Sequence, residues 1–133
     1  MEGESLNFIE VKAQLLNSIN DTTQLFQLLR QKMDKHPDQA DYTLLLTQYY
    51  NKHNRALDSE RILLEKLQED PQNLSYQIEL FRTYYLFMPQ RKAQFWDTFR
   101  RIVHNDLMSE EDRVRFVAEY FKDKKDNREA MDS

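Results

Sequence analysis

The sequence predicts an all-α chain, and three observations carry that expectation. Among 133 residues there are one glycine and three prolines, so the glycine-rich turns that hairpins, sandwiches and barrels require are out of reach. Apolar residues recur at three- and four-residue steps over segments of helical length. The chain also repeats itself, because His36-Pro37-Asp38 returns as Asp70-Pro71-Gln72 with the prolines 34 residues apart.

The same step aligns Tyr42 with Tyr76, Leu46 with Leu80, and Tyr50 with Tyr84. Read backwards, it sets Lys12-Ala13, Leu16 and Leu29 opposite Leu46-Thr47, Tyr50 and Leu63. Three units follow, at about residues 6–38, 39–72 and 73–106, with a partial unit at 107–133, all within one domain. In the first unit, Asn20-Asp21-Thr22-Thr23 offers N-cap side chains for a second helix starting near Thr23. In the second, Tyr42, Leu45, Leu46, Tyr49 and Tyr50 mark one helical face, and Asn54 interrupts it. Leu57, Ile62, Leu63, Leu64 and Leu67 rebuild the pattern on the next helix. Pro71 stops that helix, since proline disfavours the helical state in the residue before it, and it suits the first position of the next. Pro89 divides the third unit in the same way. Ser109 then reads as the N-cap of a further helix carrying Val114, Val117, Ala118 and Phe121, either a cap or the start of a fourth unit. The polar tail after Phe121 reads either as a turn leading into another helix of a longer array or as a frayed end. The expected core comprises Leu15, Leu16, Leu28, Leu29, Leu46, Tyr50, Leu63, Leu67, Leu80, Tyr84, Ala93, Phe99 and Val117.

Composition narrows the function classes. Hydrophobic residues at 40% with charged residues at 32% suit a packed domain rather than a disordered one. A net charge of -4 opposes a general nucleic-acid reader, which relies on a basic surface. There is no cysteine, which excludes disulfides, thiolate zinc sites and cysteine nucleophiles and fits cytoplasm and periplasm equally. The N-terminal segment has no basic stretch followed by an apolar run, and no segment approaches the length of apolar chain that spans a bilayer.

Catalytic and metal-binding patterns are missing from the sequence. One glycine, Gly3, cannot build a phosphate-cradling loop, a dinucleotide fingerprint or a nucleophile elbow. His36, His53 and His104 fall in expected turns or helix ends, with no zinc-binding pair on one helical turn. His36 and His104 are expected to interact with helix C-termini, where cationic side chains are favoured. Glu60, Glu65 and Glu69 stand among Lys and Arg at helical spacing, as a solvated face does. No catalytic residue, cofactor site or metal site is therefore expected. Arg91-Lys92 and Arg100-Arg101 enclose Phe95, Trp96 and Phe99, a mixture that serves either as an amphipathic core helix with a basic outer face or as an RNA contact.

The 34-residue helix–turn–helix period with its unit-closing prolines resembles the tetratricopeptide repeat, over roughly residues 6–106 and more loosely to Phe121. Leu16, Tyr50 and Tyr84 take the family's tyrosine position, Ala13 its small first-helix position, and Ser59 and Ala93 its small second-helix position. Leu46 and Leu80 take its leucine. Thr47, Phe81 and Leu25 depart from the small positions, Lys32, Lys66 and Arg100 from the late alanine, and Asn105 from the third proline. This divergence is similar to that of repeats in large bacterial helical-repeat proteins. Half-a-TPR repeats of RNA-processing factors are a neighbouring possibility.

The resemblance implies a right-handed α-α superhelix of about three helix pairs plus a capping or continuing helix. It also implies an interaction scaffold that binds a peptide or helix of a partner protein along the concave side. The alternatives are an RNA-processing adaptor and a purely structural repeat segment. Groove positions carried over from the family are Glu10, Gln14 and Asn17; Leu44, Gln48 and Asn51; and Ile78, Arg82 and Tyr85. A family clamp for a C-terminal carboxylate does not fit, because its positions fall on Glu10, Gln14, Leu45, Ser75 and Glu79.

Overall fold

A computed structural model describes residues 5–120 of the chain. Phe121 and the polar tail lie outside the described residues. Within them the protein is all-helical, with seven helices: α1 Leu6–Ser18, α2 Thr22–Lys35, α3 Ala40–Lys52, α4 Ala56–Glu69, α5 Leu74–Phe87, α6 Lys92–Val103 and α7 Glu110–Tyr120. The starts of α1, α3 and α5 are spaced by 34 residues, and α2 and α4 match at both ends by the same step. The helices divide into two compact units, the first reaching Leu63 and the second beginning at Leu64 inside α4.

Helix ends follow from local chemistry. Ser5, Asp21, Asn73 and Ser109 each accept a backbone N–H three residues on, from Phe8, Gln24, Tyr76 and Asp112 at 3.1–3.2 Å. His36, His53 and His104 are the C-cap residues of α2, α3 and α6. Two of the connections within helix pairs are identical. Asn20 and Asn54 take positive φ of 61° and 62°, and the following N–H reaches back to Leu16 O at 2.9 Å and Tyr50 O at 2.8 Å. With the Asn20 and Asn54 N–H groups donating to Asn17 O and Asn51 O, each is a complete Schellman ending. Asparagine fills the left-handed position that glycine usually takes, its short polar side chain tolerating that region.

The turns between pairs are alike too. Gln39 N–H donates to His36 O and Asn73 N–H to Asp70 O, which places Pro37 and Pro71 in the turn. This corrects the expectation that Pro71 opens the next helix, because α5 begins three residues later. The same turn recurs at Met88-Pro89-Gln90-Arg91, where Arg91 N–H donates to Met88 O. By the 34-residue step Pro89 stands where Arg55 donates the N–H that closes the Schellman ending. Proline has no N–H, so that ending cannot form and a longer turn replaces it. Helix α6 consequently starts two residues late.

That delay rotates the α6 face by about 200° against the repeat register, at about 100° per residue. Ala93, expected in the core, is exposed, while Phe99 and Ile102 are buried and Phe95 packs on them. Leu15 is exposed as well, since α1 buries Ile9 and Ala13 instead. On α4, Leu57 and Leu64 are exposed and Ile62 and Leu63 are inside. On α7, Val114 and Ala118 are exposed, with Phe116 as the buried residue and Val117 packed beside it. Leu29, Leu46, Tyr50, Leu63, Leu80, Tyr84 and Phe99 are buried as expected, and Leu16, Leu28, Leu67 and Val117 are half-buried.

In the first unit, α1, α2 and α3 pack on one another around Ile9, Ala13, Leu25, Phe26, Leu29, Leu46 and Tyr50. In the second, α5 packs on α6, and Phe81, Phe99, Ile102, Met108 and Phe116 form the core. The 34-residue register is carried by a fully buried series, Ala13, Thr47 and Phe81, which grows in size along the chain. The phenyl ring in place of a small residue draws its own company. Phe95, Phe116 and Tyr120 sit 4.9, 5.0 and 4.9 Å from the Phe81 ring centre.

Candidate functional site

The first helices of the repeats carry the residues selected by the family resemblance, and the structure sorts them into two groups. Gln14 on α1 and Gln48 on α3 are exposed, and these two helices pack directly against each other within the first unit. In the second unit Arg82 and Tyr85 are exposed on α5. Amide and guanidinium groups in such positions offer hydrogen bonds to a peptide backbone, amides as donor and acceptor and guanidinium as donor.

The other residues serve the fold. The Asn17 side-chain oxygen lies 2.6 Å from His53 Nε2, and the His53 ring meets Phe26 edge-on at 5.6 Å. Asn51 is buried on α3. Leu44 and Glu10 are half-buried, and Ile78 packs against the aromatic core of the second unit. Tyr85 keeps one side exposed while its ring stacks on Phe81 and Phe95, each at 6.1 Å, and meets Tyr120 at 5.5 Å. Of the two tracks at the 34-residue step, the one through Gln14, Gln48 and Arg82 is exposed throughout. The one through Asn17, Asn51 and Tyr85 is mixed.

Electrostatic perturbation is modest and belongs to packing. Arg30 Nη1 donates to the Tyr50 hydroxyl at 2.9 Å, and that bond raises the guanidinium pKa above its ordinary value. The Arg55 guanidinium lies 4.6 Å from the Tyr50 ring centre and 5.0 Å from that of Phe26. Burial raises the Tyr49 hydroxyl, helped by the charge of Glu10, and burial likewise raises Tyr120. Burial alone pushes the Asp58 carboxyl up, but hydrogen bonds from Arg61 and Arg55 outweigh it and hold the group below the ordinary carboxylate value.

Phe95 and Trp96, flanked by basic residues in the sequence, point into the aromatic cluster. Phe95 stacks on Phe81, and Trp96 meets Phe95 at 5.0 Å and Phe99 at 5.7 Å. Among the described residues no three His, Asp or Glu side chains are grouped to hold a metal ion, and no helix is long and apolar enough to cross a membrane.

One surface escaped the sequence. Phe8, Val11, Leu15 and Ile19 are exposed along a single side of α1. Their helical spacing reads as core, and nothing in the letters distinguishes a face packed within the chain from one left open. No protein-family model matches this chain, and no match emerges among curated proteins or solved structures.

Proposed function

We propose that this chain is a divergent tetratricopeptide-type repeat protein that acts as a binding scaffold, holding a peptide or helix of a partner protein through exposed polar positions on the first helices of its repeats. The supporting observation is the register. The first helices of the pairs return at a 34-residue step, as do the second helices of the first two pairs, and Gln14 and Gln48 emerge exposed at the same place on two helices in contact. A repeated amide on adjacent helices suits recognition of repeated backbone groups, the feature that any extended segment presents. The RNA-adaptor reading loses support because Phe95 and Trp96 are engaged in the aromatic cluster instead of forming a stacking platform.

The test is selection of binding peptides by the full chain from a displayed random library, followed by amide chemical-shift mapping. The reading expects the largest shifts around Gln14 and Gln48, and a drop in affinity of about tenfold in Gln14→Ala with Gln48→Ala, as for loss of hydrogen bonds. Arg82→Ala, tested separately, reports whether the equivalent position in the second unit contributes. Failure to select any peptide, or binding unchanged in the double variant, overturns the assignment.

A further inference from the structure

Three polar residues follow one another at helical spacing along one side of α1, namely Glu10, Gln14 and Asn17. Their side chains have different fates. Asn17 is held by His53 at 2.6 Å, which ties this end of the row to the end of α3. Gln14 is exposed. Glu10 is half-buried, and among the described residues its carboxylate has neither an ion pair nor a hydrogen bond. Burial is the main cause of the raised Tyr49 hydroxyl on α3, and the Glu10 charge adds to it, so the carboxylate stands within electrostatic reach of α3. The lysines of these two helices lie over rings instead. Lys12 Nζ is 6.0 Å from the Phe8 ring centre, and Lys52 Nζ is 5.0 Å from that of Tyr49. A carboxylate partly withdrawn from water thus gives up hydration without gaining a cation of its own chain in return.

We infer that Glu10 sets the specificity of this site, and that the partner segment carries a basic side chain that pairs with the Glu10 carboxylate while its backbone is held at Gln14 and Gln48. Glu10 supplies what the amides lack in the peptide-binding reading, on which this assignment rests. Amide side chains bond to backbone groups that every peptide has, whereas a carboxylate discriminates by charge. At 1.5 Å per residue, Glu10 and Gln14 stand about 6 Å apart along α1, a span that an extended lysine or arginine side chain bridges. Arginine suits the position better, because its planar fork can bond both carboxylate oxygens at once. The pair is screened less than one on open surface, since Glu10 is half-buried. The corresponding positions one and two repeats on are Leu44 and Ile78, so the charge belongs to α1 and is not a general feature of the repeat. The net charge of -4 on the chain favours approach of a basic segment.

Parallel selections from one displayed random peptide library, on the full chain and on its Glu10→Gln and Glu10→Lys variants, test this. Peptides taken by the parent should share an arginine or lysine at one recurrent place, and Glu10→Gln should lose that enrichment. Glu10→Lys should select aspartate or glutamate there instead. A parent-selected peptide should bind Glu10→Gln about tenfold more weakly, with the difference shrinking in high salt. The Glu10 carboxylate makes no hydrogen bond within the described residues, so circular dichroism and the thermal midpoint of Glu10→Gln should match those of the parent. Selected peptides without a basic residue, or a basic residue enriched equally on Glu10→Gln, overturn the role of Glu10 and leave binding at Gln14 and Gln48 standing. Selection of no peptide by the parent overturns both.

Discussion

The Asn105 carboxamide nitrogen donates to the side-chain oxygen of Gln77 at 2.8 Å, and the two residues are 1% and 2% exposed. The same nitrogen donates to Gln72 O at 3.1 Å, the Asn105 side-chain oxygen accepts from Leu107 N–H at 2.8 Å, and Gln77 donates to Pro71 O at 2.8 Å. One buried pair thereby ties the turn before α5 to the turn after α6. Asn105→Ala would leave a buried amide and a carbonyl without this donor, and is expected to cost about 2–3 kcal/mol of unfolding free energy. Urea denaturation measures it. A loss below half a kcal/mol would mean that water replaces the side chain freely.

The Schellman endings make a sharper comparison. Asn54 is exposed with φ of 62°, so its substitution tests backbone conformation with little packing involved. Asn54→Gly should leave stability within a few tenths of a kcal/mol, whereas Asn54→Ala should lose about 1–2 kcal/mol because a β-carbon disfavours the left-handed region. Equal thermal midpoints for the two variants would refute this account of the turn.

Ser59 is fully buried at the position that Leu25 occupies one repeat earlier, and its hydroxyl donates to Thr47 O at 2.9 Å. With Ser59 buried and in hydrogen-bond contact with the α3 backbone, a longer side chain is expected to be crowded at this point. Ser59→Leu is expected to destabilise by about 1–3 kcal/mol through overpacking, and Ser59→Ala by about 1 kcal/mol through the lost hydrogen bond. If the leucine variant proved the more stable of the two in chemical denaturation, the register would not be limiting at this site.

Asp58 lies between Arg55 at 2.8 Å and Arg61 at 3.0 Å, with side-chain exposures of 28%, 45% and 51% respectively. Its pKa is lower in the folded chain than in the unfolded one, so the unfolded state takes up protons first as the pH falls. The contribution is therefore complete above the ordinary carboxylate range and disappears as pH drops through the folded value. Solvent screening limits it to about 1 kcal/mol or less. Asp58→Asn should lower the urea midpoint at neutral pH, by less in high salt, and should match the parent in strong acid. A difference that persists in acid would assign the effect to packing.

The sequence made the helical register of α1 to α5 readable because Pro37 and Pro71 punctuate it and the tyrosines and leucines repeat with them. Its reading slipped at α6, where Pro89 is visible but the lost N–H of the Schellman ending is not. Identical letters then stand for a different face, with Ala93 outside and Phe99 with Ile102 inside. On α7 the steps through Val114 and Val117 resembled a buried stripe, yet the oversized Phe81 side chain draws Phe116 inward. The candidate site was legible in part. Gln14 and Gln48 are polar and exposed, whereas Asn17 and Asn51 have the same chemistry but serve His53 and the interior. An asparagine does not announce whether its hydrogen bonds go to solvent or to a neighbour. The open face of α1 was invisible for a related reason, since burial depends on what packs against a helix as well as on its own sequence.

Short connections have a kinetic consequence. Successive described helices are joined by three to six residues, and α1 packs on α2, α2 on α3, and α5 on α6. Bringing such neighbours together closes small loops, so little chain entropy is lost before contacts form. Proteins dominated by local contacts fold in microseconds to milliseconds. The asparagines at positive φ and the proline turns thus determine more than where helices end. By holding consecutive helices within reach of each other, they shorten the search that precedes folding.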